Sequence, residues 1–143
     1  MAIMQLSIFL ENSPGRLKGV LSVLSNNNIN IRALSLAEKQ SYGMLRLIVS
    51  DTEKASEVLK KENIAVNVTS VIGVEVSDKP GGLLEIAEIL EKNAINVEYL
   101  YAFVEKFGDK AVVVLRVDET EKAGKIFVEK GIRVLEDKDI ASL

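Results

Sequence analysis

The sequence predicts an α+β protein built from two copies of one βαββαβ unit. Three observations carry this prediction. Ser13-Pro14-Gly15-Arg16-Leu17 is echoed by Lys79-Pro80-Gly81-Gly82-Leu83 at an offset of 66 residues. Apolar residues alternate before each of these corners and recur at helical spacing after it. The 143-residue chain is 48% hydrophobic and 27% charged, which is enough apolar material for a core in each copy.

The elements follow in order. Leu6, Ile8 and Leu10 match Ile72, Val74 and Val76, each set spaced by two as one face of a strand requires. Leu17, Val20, Leu21 and Leu24 match Leu83, Ile86, Ala87 and Leu90, a helical stripe in both copies. Pro14 and Pro80 are expected at the first helical position, where a missing N–H is no loss. The helices stop near Asn27-Asn28 and Asn93-Ala94, and Ile29-Asn30-Ile31 and Ile95-Asn96-Val97 open the second strands. A turn at Gln40-Ser41-Tyr42-Gly43, or at Phe107-Gly108-Asp109 with one extra residue, leads to third strands carrying Leu45, Leu47 and Val49, or Val112 and Val114. Ala55, Val58 and Leu59 match Ala123, Ile126 and Phe127 as a second helical stripe, and Ile64, Val66 and Val68 match Ile132 and Val134 as a last strand.

This order of elements is the ferredoxin-like plan, in which four antiparallel strands carry two helices on one face. Val66 to Ile72 passes from the last strand of one copy into the first of the next with no Gly/Pro linker. The joint therefore falls near residue 69, dividing the chain into rigidly related units over 1–69 and 70–143. The tail from Glu136 to Leu143 is either a short helix or disordered, and periodicity does not decide.

Composition removes most chemistry. With neither cysteine nor histidine, the chain has no thiolate nucleophile or metal ligand, no disulfide and no imidazole base. A net charge of −3 argues against attraction to nucleic-acid phosphates or anionic lipid. The first ten residues lack the basic start and unbroken apolar run of a signal peptide, and no segment is long enough to span a bilayer. The expectation is a cytoplasmic, soluble protein.

The informative place is the corner between first strand and first helix. Glycine after the proline lets a ligand approach the backbone, and the unpaired N–H groups of the first helical turn can hold a carboxylate. The plainer reading is that Pro-Gly only starts a helix, with Ser13 as its cap and Asn12 or Asp78 closing a side-chain turn. Asn30 and Asn96 each follow their proline by sixteen positions between apolar residues. Such an amide either reaches a ligand or neighbouring unit, or bonds the local backbone.

With these residues in view, Asn12-Ser13-Pro14-Gly15-Arg16-Leu17 with Ile29-Asn30-Ile31, and Asp78-Lys79-Pro80-Gly81-Gly82-Leu83 with Ile95-Asn96-Val97, resemble ACT domains across nearly the whole chain. The resemblance implies a non-enzymatic, cofactor-free regulatory protein in which the two sheets lie side by side as a continuous eight-stranded antiparallel sheet with helices on one face. It implies an amino acid or similar zwitterion as ligand at the seam between copies, a homodimer, and a separate regulated enzyme. Carried over, it pairs Asn12 with Asn96 and Asp78 with Asn30. Ser13, Pro14, Lys79 and Pro80 shape the corners, and Ile31 and Val97 flank the amides. Backbone N–H groups near Gly15, Arg16 and Leu17, or Gly81, Gly82 and Leu83, would take the α-carboxylate.

The copies differ. Asp78 is an acid where the first copy has an amide, so it could hold an α-ammonium. Arg16, matched by Gly82, either favours an acidic ligand or sits in solvent. Glu98, Tyr99 and Tyr101, which replace Arg32, Ala33 and Ser35, either select a ligand side chain or line a dimer contact. An acylphosphatase-like enzyme would need a longer cradle and an arginine in each copy. An RNA binder would need aromatic residues on the central strands, where Phe9 stands nearly alone beside Met44 and Ile48. A metal carrier would need a Cys-x-x-Cys pair. The remaining alternative is an ACT pair that regulates another protein and binds no small molecule.

Overall fold

The computed structural model describes residues 2–104 and 108–142. Its elements run β1 (Ile3–Glu11), α1 (Arg16–Asn26), β2 (Ile31–Lys39), β3 (Tyr42–Val49), α2 (Thr52–Lys61), β4 (Val66–Ser77), α3 (Gly82–Lys92), β5 (Val97–Ala102), β6 (Lys110–Val117), α4 (Thr120–Glu129), β7 (Val134–Leu135) and α5 (Asp137–Ala141). The chain divides into two compact units: Met4–Thr69, and Ser70–Ser142 with the start of the chain up to Ile3. The described residues hold seven strands where eight were expected. The last strand of the first copy and the first strand of the second are one uninterrupted element, β4, because no breaker interrupts Val66 to Ile72.

In the N-terminal unit, β1 and β2 both pair antiparallel with β3. Leu6 lies opposite Leu47 and Ile8 opposite Leu45. These residues, with Leu10 and Val49, meet Val20 and Leu24 of α1 and Ala55 and Leu59 of α2 in one core. In the C-terminal unit β6 pairs antiparallel with β4 and β5, and β7 pairs with β4. Ile72 lies opposite Leu115 and Val74 opposite Val113, and with Val76 and Val117 they enclose Ile86, Leu90, Ala123 and Phe127. The same apolar set is thus repeated on the same faces, and burial of Leu- and Phe-sized side chains contributes about 1.5–3 kcal/mol each.

Several expectations need correction. The core face of β6 is Val113, Leu115 and Val117, not Val112 and Val114. The connection before it is therefore two residues longer than its counterpart, and a one-residue error in register moves every side chain to the other face. Of the turn expected there, Phe107 lies outside the described residues. The first hairpin is tighter than expected: Lys39 and Tyr42 already pair, leaving Gln40 and Ser41 as the loop. Val23 and Ile89, rather than Leu21 and Ala87, complete the inner stripes of α1 and α3, and Leu83, expected in the second stripe, is exposed. The second strands begin at Ile31 and Val97, one residue after the asparagines, and β7 covers only two residues, leaving Ile132 outside it.

The tail is a helix. Glu136 and Asp139 form a reciprocal capping box at the start of α5, and Ile140 is buried. Helix ends are handled alike in both copies: Asn27 donates its side-chain amide to the Val23 carbonyl at 2.7 Å, and Asn93 to Ile89 at 2.8 Å. The next residue takes a left-handed conformation, Asn28 at φ 58° and Ala94 at φ 54°.

Candidate ligand-binding corner

The Pro-Gly corners are turns that precede the helix. Arg16 N–H donates to the Ser13 carbonyl at 3.4 Å, and Gly15 has φ 86° and ψ −9°. Gly82 N–H donates to Lys79 at 3.0 Å, with Gly81 at φ 86° and ψ −6°. Proline at the second position and a positive-φ glycine at the third are the signature of a type II turn. Pro14 and Pro80 therefore stand two residues before their helices, not at the first helical position. Gly15 and Gly81 are the N-caps, and neither helix has a side-chain cap, so Ser13 does not act as one. Glycine is required there by its φ. A Cβ at either position would meet no atom within 4 Å, so the space beside both turns is open.

Because a glycine caps each helix, the first-turn donors stay unpaired. The backbone N–H groups of Leu17 and Lys18, and of Leu83 and Leu84, have no acceptor among the described residues. They supply partial positive charge at the helix N-terminus.

Beside the first corner lies a cavity of about 340 Å³. Leu10, Leu17 and Leu36 line it, and Arg16, Asn12 and Glu38 stand at its polar side. Arg16 forms an ion pair with Glu11 at 3.0 Å and donates to Ser13 Oγ at 3.4 Å. The Asn12 side-chain amide donates to Glu38 Oε1 at 3.2 Å, so it does not close a turn on its own backbone. The structure therefore brings Asn12, Ser13, Arg16 and Leu17 together around one space, with Gly15 at the adjoining turn. It adds Leu36 and Glu38 from β2, which no motif spacing marks.

The second corner is tighter. A Cβ at Gly82 would run into the carbonyl oxygen of Ser77, so the end of β4 lies against the first turn of α3. Arg16, the equivalent in the first copy, has a Cβ, and its corner accommodates it. Asp78 donates its backbone N–H to Asp109 at 2.9 Å, as Asn12 does to Ser41.

Asn30 and Asn96 are exposed, which removes the cost of burying a polar amide that their apolar neighbours suggested. Their backbones are tied down: Asn30 N–H donates to Ser50 Oγ at 3.0 Å and Asn96 N–H to Asp118 Oδ1 at 3.1 Å. Their side-chain amides form no hydrogen bond among the described residues. Ile31 and Val97, both half-buried, pack against the two cores.

Among the described residues no helix is long and apolar enough to cross a membrane. No group of three or more His, Cys, Asp or Glu residues is placed to hold a metal ion among them.

A model of the ACT domain pair matches residues 1–143. The chain belongs to the ACT domain pair family. Protein BT0572 from Bacteroides thetaiotaomicron is similar in structure, with 40% identity over 100% of this chain and 98% of that one and a TM-score of 0.93. The ligand-free regulatory subunit of aspartate kinase from Thermus thermophilus shares the fold at 14% identity and a TM-score of 0.64, over 88% and 90% of the two chains. Its counterpart from Thermus flavus matches over the same shares at 14% identity and a TM-score of 0.59. No functionally curated protein matches the chain.

Proposed function

We propose that this protein is a non-catalytic regulatory module that binds an amino acid at its Pro-Gly corner. The observation that carries this reading is the cavity beside α1, lined by Leu17 with its unpaired N–H, by Glu11 and Glu38, and by the apolar side chains of Leu10 and Leu36. The donors of the first turn suit an α-carboxylate, and Glu38 suits an α-ammonium. Leu17 N–H, in the turn that Gly15 and Arg16 open, supplies the carboxylate site, while Asn12, Ser13 and Pro14 shape its wall.

Gly81, Gly82 and Leu83, with Asp78, Lys79 and Pro80, form the equivalent corner of the second copy. Asn30 and Asn96, flanked by Ile31 and Val97, stand beside Ser50 and Asp118 at the other end of their units' sheets, so they are not contacts of the same unit's corner in this reading. The fold shared with regulatory subunits of aspartate kinase supports a role in control. Binding would regulate a separate enzyme, with this chain acting as a cytoplasmic homodimer. A ligand shifts such an equilibrium only by its differential affinity for the two states of the assembly.

Titration calorimetry of the full chain against the twenty amino acids tests the reading. Binding of one or a few is expected, weakened about tenfold or more by Glu38→Gln, since a charge-assisted bond contributes roughly 1.5–3 kcal/mol. Heat from none of the twenty would refute it, and leave an interaction module that acts without a small molecule.

A further inference from the structure

We infer that the ligand of the first corner is an amino acid with an uncharged apolar side chain, bound once per chain. This rests on the reading above and goes further, because the residues around the cavity distinguish among amino acids.

The floor is the first observation. Leu36 is 51% exposed although it sits in a strand with its side chain toward Leu10 and Leu17 across the cavity. The chain makes room for it. A Cβ on Gly43 would stand 3.0 Å from Leu36 Cδ1 and 3.3 Å from the Ala37 carbonyl. Glycine inside a strand weakens it, so its use here calls for a reason. The second copy shows the complementary choice: Ala102 stands where Leu36 would be and Ala111 where Gly43 would be. The first copy thus gives up a strand side chain to hold a large apolar group at the cavity, half in water. A ligand's apolar side chain laid on it would remove that surface from water.

Charge is the second observation. The Arg16 guanidinium is engaged by Glu11 and Ser13, so a ligand carboxylate in its side chain would have to compete with an existing ion pair. Among the described residues Glu38 accepts only from Asn12, and no cation bridges it. One carboxylate therefore remains outside an ion pair for one ammonium, and a second charge on the ligand would have to displace the Arg16–Glu11 pair. Of the two alternatives for Arg16, favouring an acidic ligand or sitting in solvent, this inference takes the second, with the side chain 59% exposed.

The third observation is the second corner. Glu11, Arg16 and Glu38 correspond there to Ser77, Gly82 and Val104, so these three groups are absent from the other copy, which instead carries Asp78 and Lys79 in place of Asn12 and Ser13. Gly82 also lies against the Ser77 carbonyl. The duplicated corner keeps its turn but is closed at Gly82 and lacks the apolar floor and Glu38, which favours one ligand per chain at the first corner.

The test is calorimetry of the full chain with leucine, isoleucine, valine, methionine and phenylalanine beside glycine, aspartate, glutamate, lysine and arginine. At least one apolar amino acid is expected to bind about tenfold or more tighter than glycine, one per chain. Leu36→Ala is expected to weaken that ligand about tenfold and to narrow its margin over glycine. Far-UV circular dichroism checks that this variant remains folded. Preference for a charged amino acid, two ligands per chain, or an unchanged affinity in Leu36→Ala would overturn the inference and leave the amino-acid reading standing. Absence of binding by every amino acid would overturn both.

Discussion

Replacing Gly82 with alanine isolates the contact that closes the second corner. Away from any neighbour the change would stabilise a helix by about 1 kcal/mol, because glycine is the poorer helix former. Here the new methyl group meets the carbonyl oxygen of Ser77, and its carbon also lies 3.0 Å away. Backbone cannot rotate aside as a side chain does, so β4 and α3 must separate. Overpacking of this kind costs about 1–3 kcal/mol or more, and a backbone obstacle belongs at the upper end. The net expected loss is about 2 kcal/mol.

With a urea slope of about 1–3 kcal/mol/M, this lowers the unfolding midpoint by roughly 1 M. Gly19→Ala supplies the opposite sign. Gly19 is also helical, nothing lies within 4 Å of its absent Cβ, and alanine should raise stability by about 0.5–1 kcal/mol. Both are read by equilibrium urea unfolding followed by far-UV circular dichroism. Equal midpoints for Gly82→Ala and the natural protein would refute the closed corner.

Other expectations follow from equally local causes. Ala94 holds a left-handed φ of 54°, so Ala94→Gly should gain about 0.5–1 kcal/mol, whereas Asn28→Ala at the matching position should lose a similar amount in the same urea assay. Asp51 caps α2 by accepting from the Lys54 N–H at 3.1 Å, so Asp51→Ala should lose about 1 kcal/mol in thermal unfolding. Phe127 is fully buried in the second core, and Phe127→Ala should cost about 3–5 kcal/mol in urea unfolding.

The duplicated pattern was legible because the same physics repeats. Alternation in Leu6, Ile8 and Leu10 and the helical spacing of Val20 and Leu24 reflect faces that really are buried. The inward face of β6 was not legible for a related reason. Val112 is 2% and Val114 0% exposed, so both faces of that strand are covered, and hydrophobicity no longer marks one of them. The Pro-Gly corner was located correctly but given the wrong geometry, since proline suits both a first helical position and a type II turn. Asn12, Arg16 and Leu17 could be found as neighbours of that turn. Leu36 and Glu38 could not, because only pairing of β2 with β3 brings them beside α1, and no local spacing encodes it. Exposure of Asn30 and Asn96 was equally hidden, because their apolar neighbours in sequence point inward while they do not.

The register irregularity between Ile31 and Ala33 in β2 recurs between Val97 and Tyr99 in β5, and each of these strands pairs with only one described neighbour. Such a margin would otherwise invite another chain to add itself, copy after copy. The kink breaks the straight row of donors and acceptors near its start, leaving only the stretch beyond it in regular alignment. Recurring in both halves, it makes the start of each strand a poor template for a further strand.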